Sequence, residues 1–167
     1  MHYIQEMAKK QEETNLTLKF VDERLLSTPP IALMQVKKEI EYMISLVEEN
    51  AGHAFNAIET GSSEYSKLIR KNEEIIDFTN SELTKFLIKL SVDVEESDEN
   101  TIGSYFHVLN DLERIGDHAE NFHEIGLEMI KRNIVQEYDG TNIRTLAIKY
   151  NYSEKSVRRI IKESLEE

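Results

Sequence analysis

The chain has no cysteine and no tryptophan, and only two prolines and six glycines in 167 residues. Without cysteine, disulfides and thiolate metal sites are excluded. Any metal would have to be held by carboxylates or by the five histidines, a donor set that favours hard cations. No apolar run approaches the roughly 18 to 20 residues needed to span a bilayer. The opening "MHYIQEMAKKQEETN" also lacks the apolar stretch of a signal peptide. A soluble, cytoplasmic chain is therefore expected. Scarcity of glycine and proline suits helices, and no segment sustains an alternation of period two. The expected class is all-α.

Positive charge is also scarce, with 20 Lys and Arg against 32 Asp and Glu, a net charge of -12. Residues 1–132 carry all of the excess, 14 basic against 26 acidic, whereas residues 133–167 hold six of each. Within that tail, Thr141 to Lys162 has six basic residues and one acid. An acidic body repels nucleic acid and a basic tail need not. Two modules are expected.

Apolar spacing divides the chain further. Residues 1–28 are polar and weakly periodic, either a helix or a mobile leader. "STPP" predicts a helix start, with Ser27 or Thr28 as N-cap and proline in the first turn. Leu33, Val36, Ile40, Met43, Val47, Ala51, Ala54 and Ile58 then recur at spacings of three and four. Gly61 is the expected C-terminal cap, with Ser62 or Ser63 capping the next helix. That second helix shows Leu68, Ile69, Ile76, Leu83, Leu87 and Leu90 on one side. The acidic stretch Asp93 to Asn100 suits a loop, and its acids also favour the N-terminus of the helix that follows. A third helix follows with Ile102, Tyr105, Val108, Leu109, Leu112, Ile115, Ala119, Phe122 and Met129 facing inward. Long helices and short loops predict an antiparallel three-helix bundle over residues 29–132. Residues 1–28, a second copy or a partner would cover what three helices leave open. Past Arg132, Gly140 breaks the chain. "TNIRTLAIKYN" and a helix capped by Ser153 then give residues 133–167 the form of a small helix-turn-helix.

Carboxylates repeat on two of these helices. At 100° per residue, Glu113, Asp117, Glu120 and Glu124 fall within roughly 60° of one another, beside the apolar stripe. Glu73 and Asp77 repeat the i, i+4 pair on the second helix. Like charges at that spacing weaken an isolated helix, and a multivalent cation between facing helices would reverse the penalty. Gly116, between Glu113 and Asp117, would permit a close approach. In a chain this acidic, a merely solvated face produces the same spacing, and spacing alone does not choose. His118 projects away from the acids, and His123 falls among core residues. His107 and His53 carry less information still. Arg114 is expected to pair with a neighbouring acid.

"LERIGDHAEN" resembles the signature helix of PhoU and PhoU-like proteins, and "NEEIID" resembles their preceding helix. Leu18 to Met43 is similar to the segment after the membrane domain in Na/phosphate cotransporter-family proteins. The resemblance spans about residues 18–132. It implies a helical, non-enzymatic regulator of phosphate transport, either free-standing or the soluble part of a transporter, partnered by a phosphate transporter or its membrane domain. It also implies metal ions, iron or another divalent cation, held by Glu73, Asp77, Glu113 and Asp117, with Asp111 and Glu120 as further ligands. PhoU proteins have two three-helix repeats and this chain has one, so a complete groove would call for a homodimer.

The tail resembles the C-terminal helix-turn-helix of Mor-type phage transcription activators. The likeness lies in "LAIKY", Ser153 and the apolar Val157, Ile160 and Ile161. That implies DNA contacts from Lys155, Ser156, Arg158 and Arg159, and a DNA-binding transcription regulator as the alternative function. A basic amphipathic hairpin that only packs on the bundle would give the same pattern. For an enzyme, the chain offers no Gly-rich phosphate loop and no H-E-x-x-H motif.

Overall fold

The computed structural model describes residues 16–60 and 64–166, and within these no strand occurs. A 3-10 turn at Glu23–Ser27 leads into three long helices: α1, Pro29–Thr60; α2, Glu64–Leu90; and α3, Glu96–Glu137. Two short helices follow: α4, Ile143–Lys149, and α5, Glu154–Glu166. The caps expected at Gly61, Ser62 and Ser63 lie outside the described residues. So does the first half of the leader.

Local chemistry accounts for the helix starts. Pro29 and Pro30 open α1, where a missing N–H breaks no helical hydrogen bond. Thr28 serves as the cap through its carbonyl, which accepts from the Ile31 and Ala32 amides. Its hydroxyl instead donates back to the Leu25 carbonyl at 3.2 Å. The acidic stretch expected as a loop is mostly helix. Only its first residue, Asp93, falls in a 3-10 turn, Ser91–Asp93, and α3 begins at Glu96. Glu96, Asp98 and Glu99 fill the first turn of α3, where negative charge opposes the helix dipole. α5 is capped as expected, the Ser156 amide donating to Ser153 Oγ at 3.0 Å.

Each long helix packs on both others. α2 runs antiparallel to its neighbours, so α1 and α3 run parallel. Phe55 of α1 meets Phe122 of α3 edge-on at 5.3 Å between ring centroids. One turn further on, Gly126 lies so close to Ile58 that an added Cβ would stand 2.3 Å from Ile58 Cγ1. The main core gathers Val36, Ile40, Met43 and Val47 with Ile76, Leu83, Leu87, Leu109 and Leu112.

The N-terminal segment helps to close this core. Val21 is buried, and the Glu39 carboxylate, itself buried, accepts from the backbone amides of Lys19 and Phe20 at 3.1 and 2.7 Å. Lys19 lies over the Tyr42 ring, and Lys89 of α2 pairs with Glu23.

Several residues expected inside are outside. Leu68 is 45% exposed, and Val108, Ile115, Phe122 and Met129 are also exposed. The contacts of α3 lie on the side carrying Ile102, Leu109, Leu112 and Ala119. Its apolar stripe is wider than the strip that two neighbouring helices can cover. α3 also continues five residues beyond Arg132. Ile134 in this overhang nucleates a second cluster with Leu146, Ala147, Val157, Ile160 and Ile161. The tail therefore has its own small core, built on the end of α3. Gly140 supplies the positive φ of +98° at the turn, and the Asn151 amide ties the tail to the Thr60 carbonyl at 2.8 Å.

Candidate functional site

Antiparallel pairing of α2 and α3 sets Glu73 and Asp77 beside Asp117 and Glu120, and Glu73 lies against Gly116. A Cβ at Gly116 would stand 2.9 Å from Glu73 Oε2. The space that the glycine leaves is thus occupied by a carboxylate rather than by a closer helix backbone. Glu73 is only 7% exposed. Its Oε2 receives a long contact from the Asn50 amide at 3.4 Å, while that amide also donates to the Ile69 carbonyl at 3.1 Å.

The electrostatics follow from this burial. Loss of solvation pushes the Glu73 carboxyl up to about 7, helped by the charges of Asp77, Asp117 and Glu120 and opposed by Asn50. Asp77 is raised too, first by burial and then by Asp117. Among the described residues, three buried oxygens are without a hydrogen-bond partner: Glu73 Oε1, Asn50 Oδ1 and Asn80 Oδ1. Asn80 follows Asp77 by one turn of α2. Buried acceptors without donors are costly, and their chemistry matches the oxygen ligands of a hard cation. Among the described residues, no three acidic or histidine side chains already converge at metal-ligand distance. Side-chain movement would have to complete a coordination shell.

The expected ligands divide accordingly. Glu73, Asp77, Asp117 and Glu120 share one field. Glu113 is half-buried and absent from the charges that act on Glu73 or Asp77. Asp111 is exposed and turned towards Arg114, 4.0 Å away, which is the neighbouring-acid pairing expected of that arginine. His118 and His107 are exposed.

His123 is indeed internal, 3% exposed. Its Nε2 lies 2.7 Å from Ser66 Oγ and its Nδ1 has no partner. Burial lowers its pKa, with Glu124 opposing and Arg70 reinforcing. His123 lines a cavity of about 350 Å³ between α2 and α3, together with Ser66, Arg70, Glu120, Glu124 and Lys131. Spacing gave no sign of Asn50, Arg70 or Ser66. Each is a polar residue whose role depends on what another helix brings to it.

In the tail, Lys155, Arg158 and Arg159 are exposed and Ser156 is half-buried. Arg158 pairs with Glu154 at 3.4 Å, and Arg159 with Glu163 at 3.8 Å. The basic face is thus partly neutralised by its own helix.

Comparison with known proteins bears on the bundle. No solved structure matches the chain. The chain is 23% identical over 135 residues to the "Phosphate-specific transport system accessory protein PhoU homolog" of Aquifex aeolicus (strain VF5). The alignment takes in 80% of this chain and 61% of that protein, so the chain spans less than two thirds of its relative's length. The family model described as "PhoU domain" matches residues 40–125. That interval covers the last two-thirds of α1, all of α2 and the acidic part of α3, and the chain belongs to the PhoU family.

Proposed function

We propose that the chain is a regulatory domain in the control of phosphate transport, and that it responds to a metal ion held in the groove between α2 and α3. The observation that carries the metal reading is Glu73, a buried carboxylate with an unpaired oxygen, set among three further acids. Glu73, Asp77, Asp117 and Glu120 would hold the ion, iron or another divalent cation, and Glu113 lies next in line. A bound cation would supply charge neutralisation across the groove and thereby tie α2 to α3. The role in phosphate transport is supported by family membership and by the relative's name. A phosphate transporter or its membrane domain is the proposed partner. Among the described residues, no helix is long and apolar enough to cross a membrane. Regulation without turnover is proposed, and phosphatase activity that disappears in Asp117→Asn would contradict it.

Metal analysis of protein purified without chelator tests the site. Iron, manganese, zinc or magnesium should raise the melting temperature, and EDTA should reverse the effect. A metal-free protein whose stability ignores all four ions would count against the site. Exposed Val108, Ile115, Phe122 and Met129 favour a further, homodimeric reading, tested by sedimentation of the purified chain.

The second functional reading is DNA binding by the tail. It is supported by a separate core beneath α5 and by the exposed Lys155, Arg158 and Arg159. Duplex binding should weaken steeply with salt, and should fall, with a shallower salt dependence, once Arg158 and Arg159 are replaced. No binding at low salt would end this reading.

A further inference from the structure

Building on the cation-binding reading, we propose that Arg70 is a tethered counter-ion of the acidic groove, displaced from Glu120 when a metal ion enters. Arg70 precedes Glu73 by three residues on α2, so the two side chains lie on one face. Its Nε stands 3.5 Å from Glu120 Oε1 and its Nη2 3.4 Å from Glu124 Oε1. Glu120 is also one of the charges acting on Glu73. One carboxylate is therefore shared between a guanidinium and the groove. Among the described residues, Arg70 is the one cation paired with a member of the group Glu73, Asp77, Asp117 and Glu120.

The attachment is suited to exchange. Arg70 contacts two different glutamates with one long contact each, rather than gripping one carboxylate with both arms of its fork. Its side chain is 67% exposed, and exposed pairs of this kind hold weakly. The cavity of about 350 Å³ beside it gives the side chain room to withdraw while it keeps Glu124. Arginine at this position offsets acid–acid repulsion in the cation-free protein and sets a threshold that an incoming ion must exceed. A charge-dense divalent ion passes that threshold more readily than a monovalent one. A simple clamp between α2 and α3 would use the same contacts without any exchange, and the two differ in what metal does to an arginine variant.

The test is calorimetric titration with Mn²⁺ of the wild-type chain, Arg70→Gln and Lys71→Gln. The last variant removes one charge from an exposed neighbour and controls for net charge. Exchange predicts that Arg70→Gln binds Mn²⁺ about three- to tenfold more tightly, while Lys71→Gln changes by less than about twofold. Thermal melts supply the second readout. Arg70→Gln should melt below wild type without metal and match it at saturating Mn²⁺, whereas a clamp would leave the deficit in place. Affinity that is unchanged or weaker in Arg70→Gln, or equally changed in Lys71→Gln, overturns the exchange and leaves the cation site standing. Absence of Mn²⁺ binding in all three proteins removes the cation site and the exchange together.

Discussion

Glu73 concentrates the chemistry of the bundle in one side chain. Its carboxyl titrates near 4.5 in an unfolded chain and at about 7 in the folded one. The folded state thus holds the proton longer, and stability falls as pH rises from about 4.5 through 7. At about 1.4 kcal/mol per unit the loss is at most about 3.5 kcal/mol, less whatever solvent at the groove mouth screens. Glu73→Gln should flatten this slope and leave metal-free protein more stable than wild type at pH 8, as read by urea melts across pH. Asp77 adds to the same slope. Buried His123, lowered by desolvation, acts oppositely, with stability lost as pH falls below its ordinary value. Gly116→Ala places a methyl against the Glu73 carboxylate, at the flexible end of that side chain. A gain in helix propensity of about 1 kcal/mol offsets that crowding, so the expected result is near-normal stability with weakened metal uptake. The i, i+4 pairs made Glu73 and Asp77 legible in the sequence, and projection made Asp117 and Glu120 legible. Asn50 and Glu39 were not, because a polar residue within an apolar stripe gives no sign of the partner that satisfies it.

At the scale of elements, the three long helices and their order could be read from spacing and from the Thr-Pro-Pro start. The boundaries could not. Acidic residues after α2 look like a loop, yet they stabilise a helix N-terminus, so α3 begins within them. The width of a buried face is equally hidden. Val108, Ile115 and Phe122 continue a periodic pattern, but coverage depends on how many helices stand beside α3. Gly126 marks a close approach between α1 and α3. Gly126→Ala should lower stability by about 1 to 3 kcal/mol despite its better helix propensity, with partial recovery in the double variant Gly126→Ala/Ile58→Val. At the other end of the bundle, Glu39→Ala leaves the Lys19 and Phe20 amides without acceptors. A loss of about 1 to 3 kcal/mol is expected, together with faster hydrogen exchange at those two amides.

At the scale of the whole molecule, two apolar clusters are strung along one helix. The main core lies among α1, α2 and α3, and the tail cluster lies on the overhang of α3 with α4 and α5. Ile160→Ala should cost the tail about 2 to 5 kcal/mol and melt it ahead of the bundle, as an earlier transition than the bundle's own in a thermal melt. Separate retention of Tyr150 and Tyr152 signals would contradict that. The charge difference between body and tail was legible in the sequence, whereas the sharing of α3 was not, since nothing at Arg132 announces that the helix continues. That sharing has a mechanical consequence. From Asp117 to Ile134 the helix runs 17 residues, about 25 Å, with no proline and no break. A roll or shift of α3 at the acidic groove would therefore carry the base of the tail with it, working against the Asn151 contact to Thr60. A local change in the groove would thereby turn the exposed basic face of α5 towards a new direction.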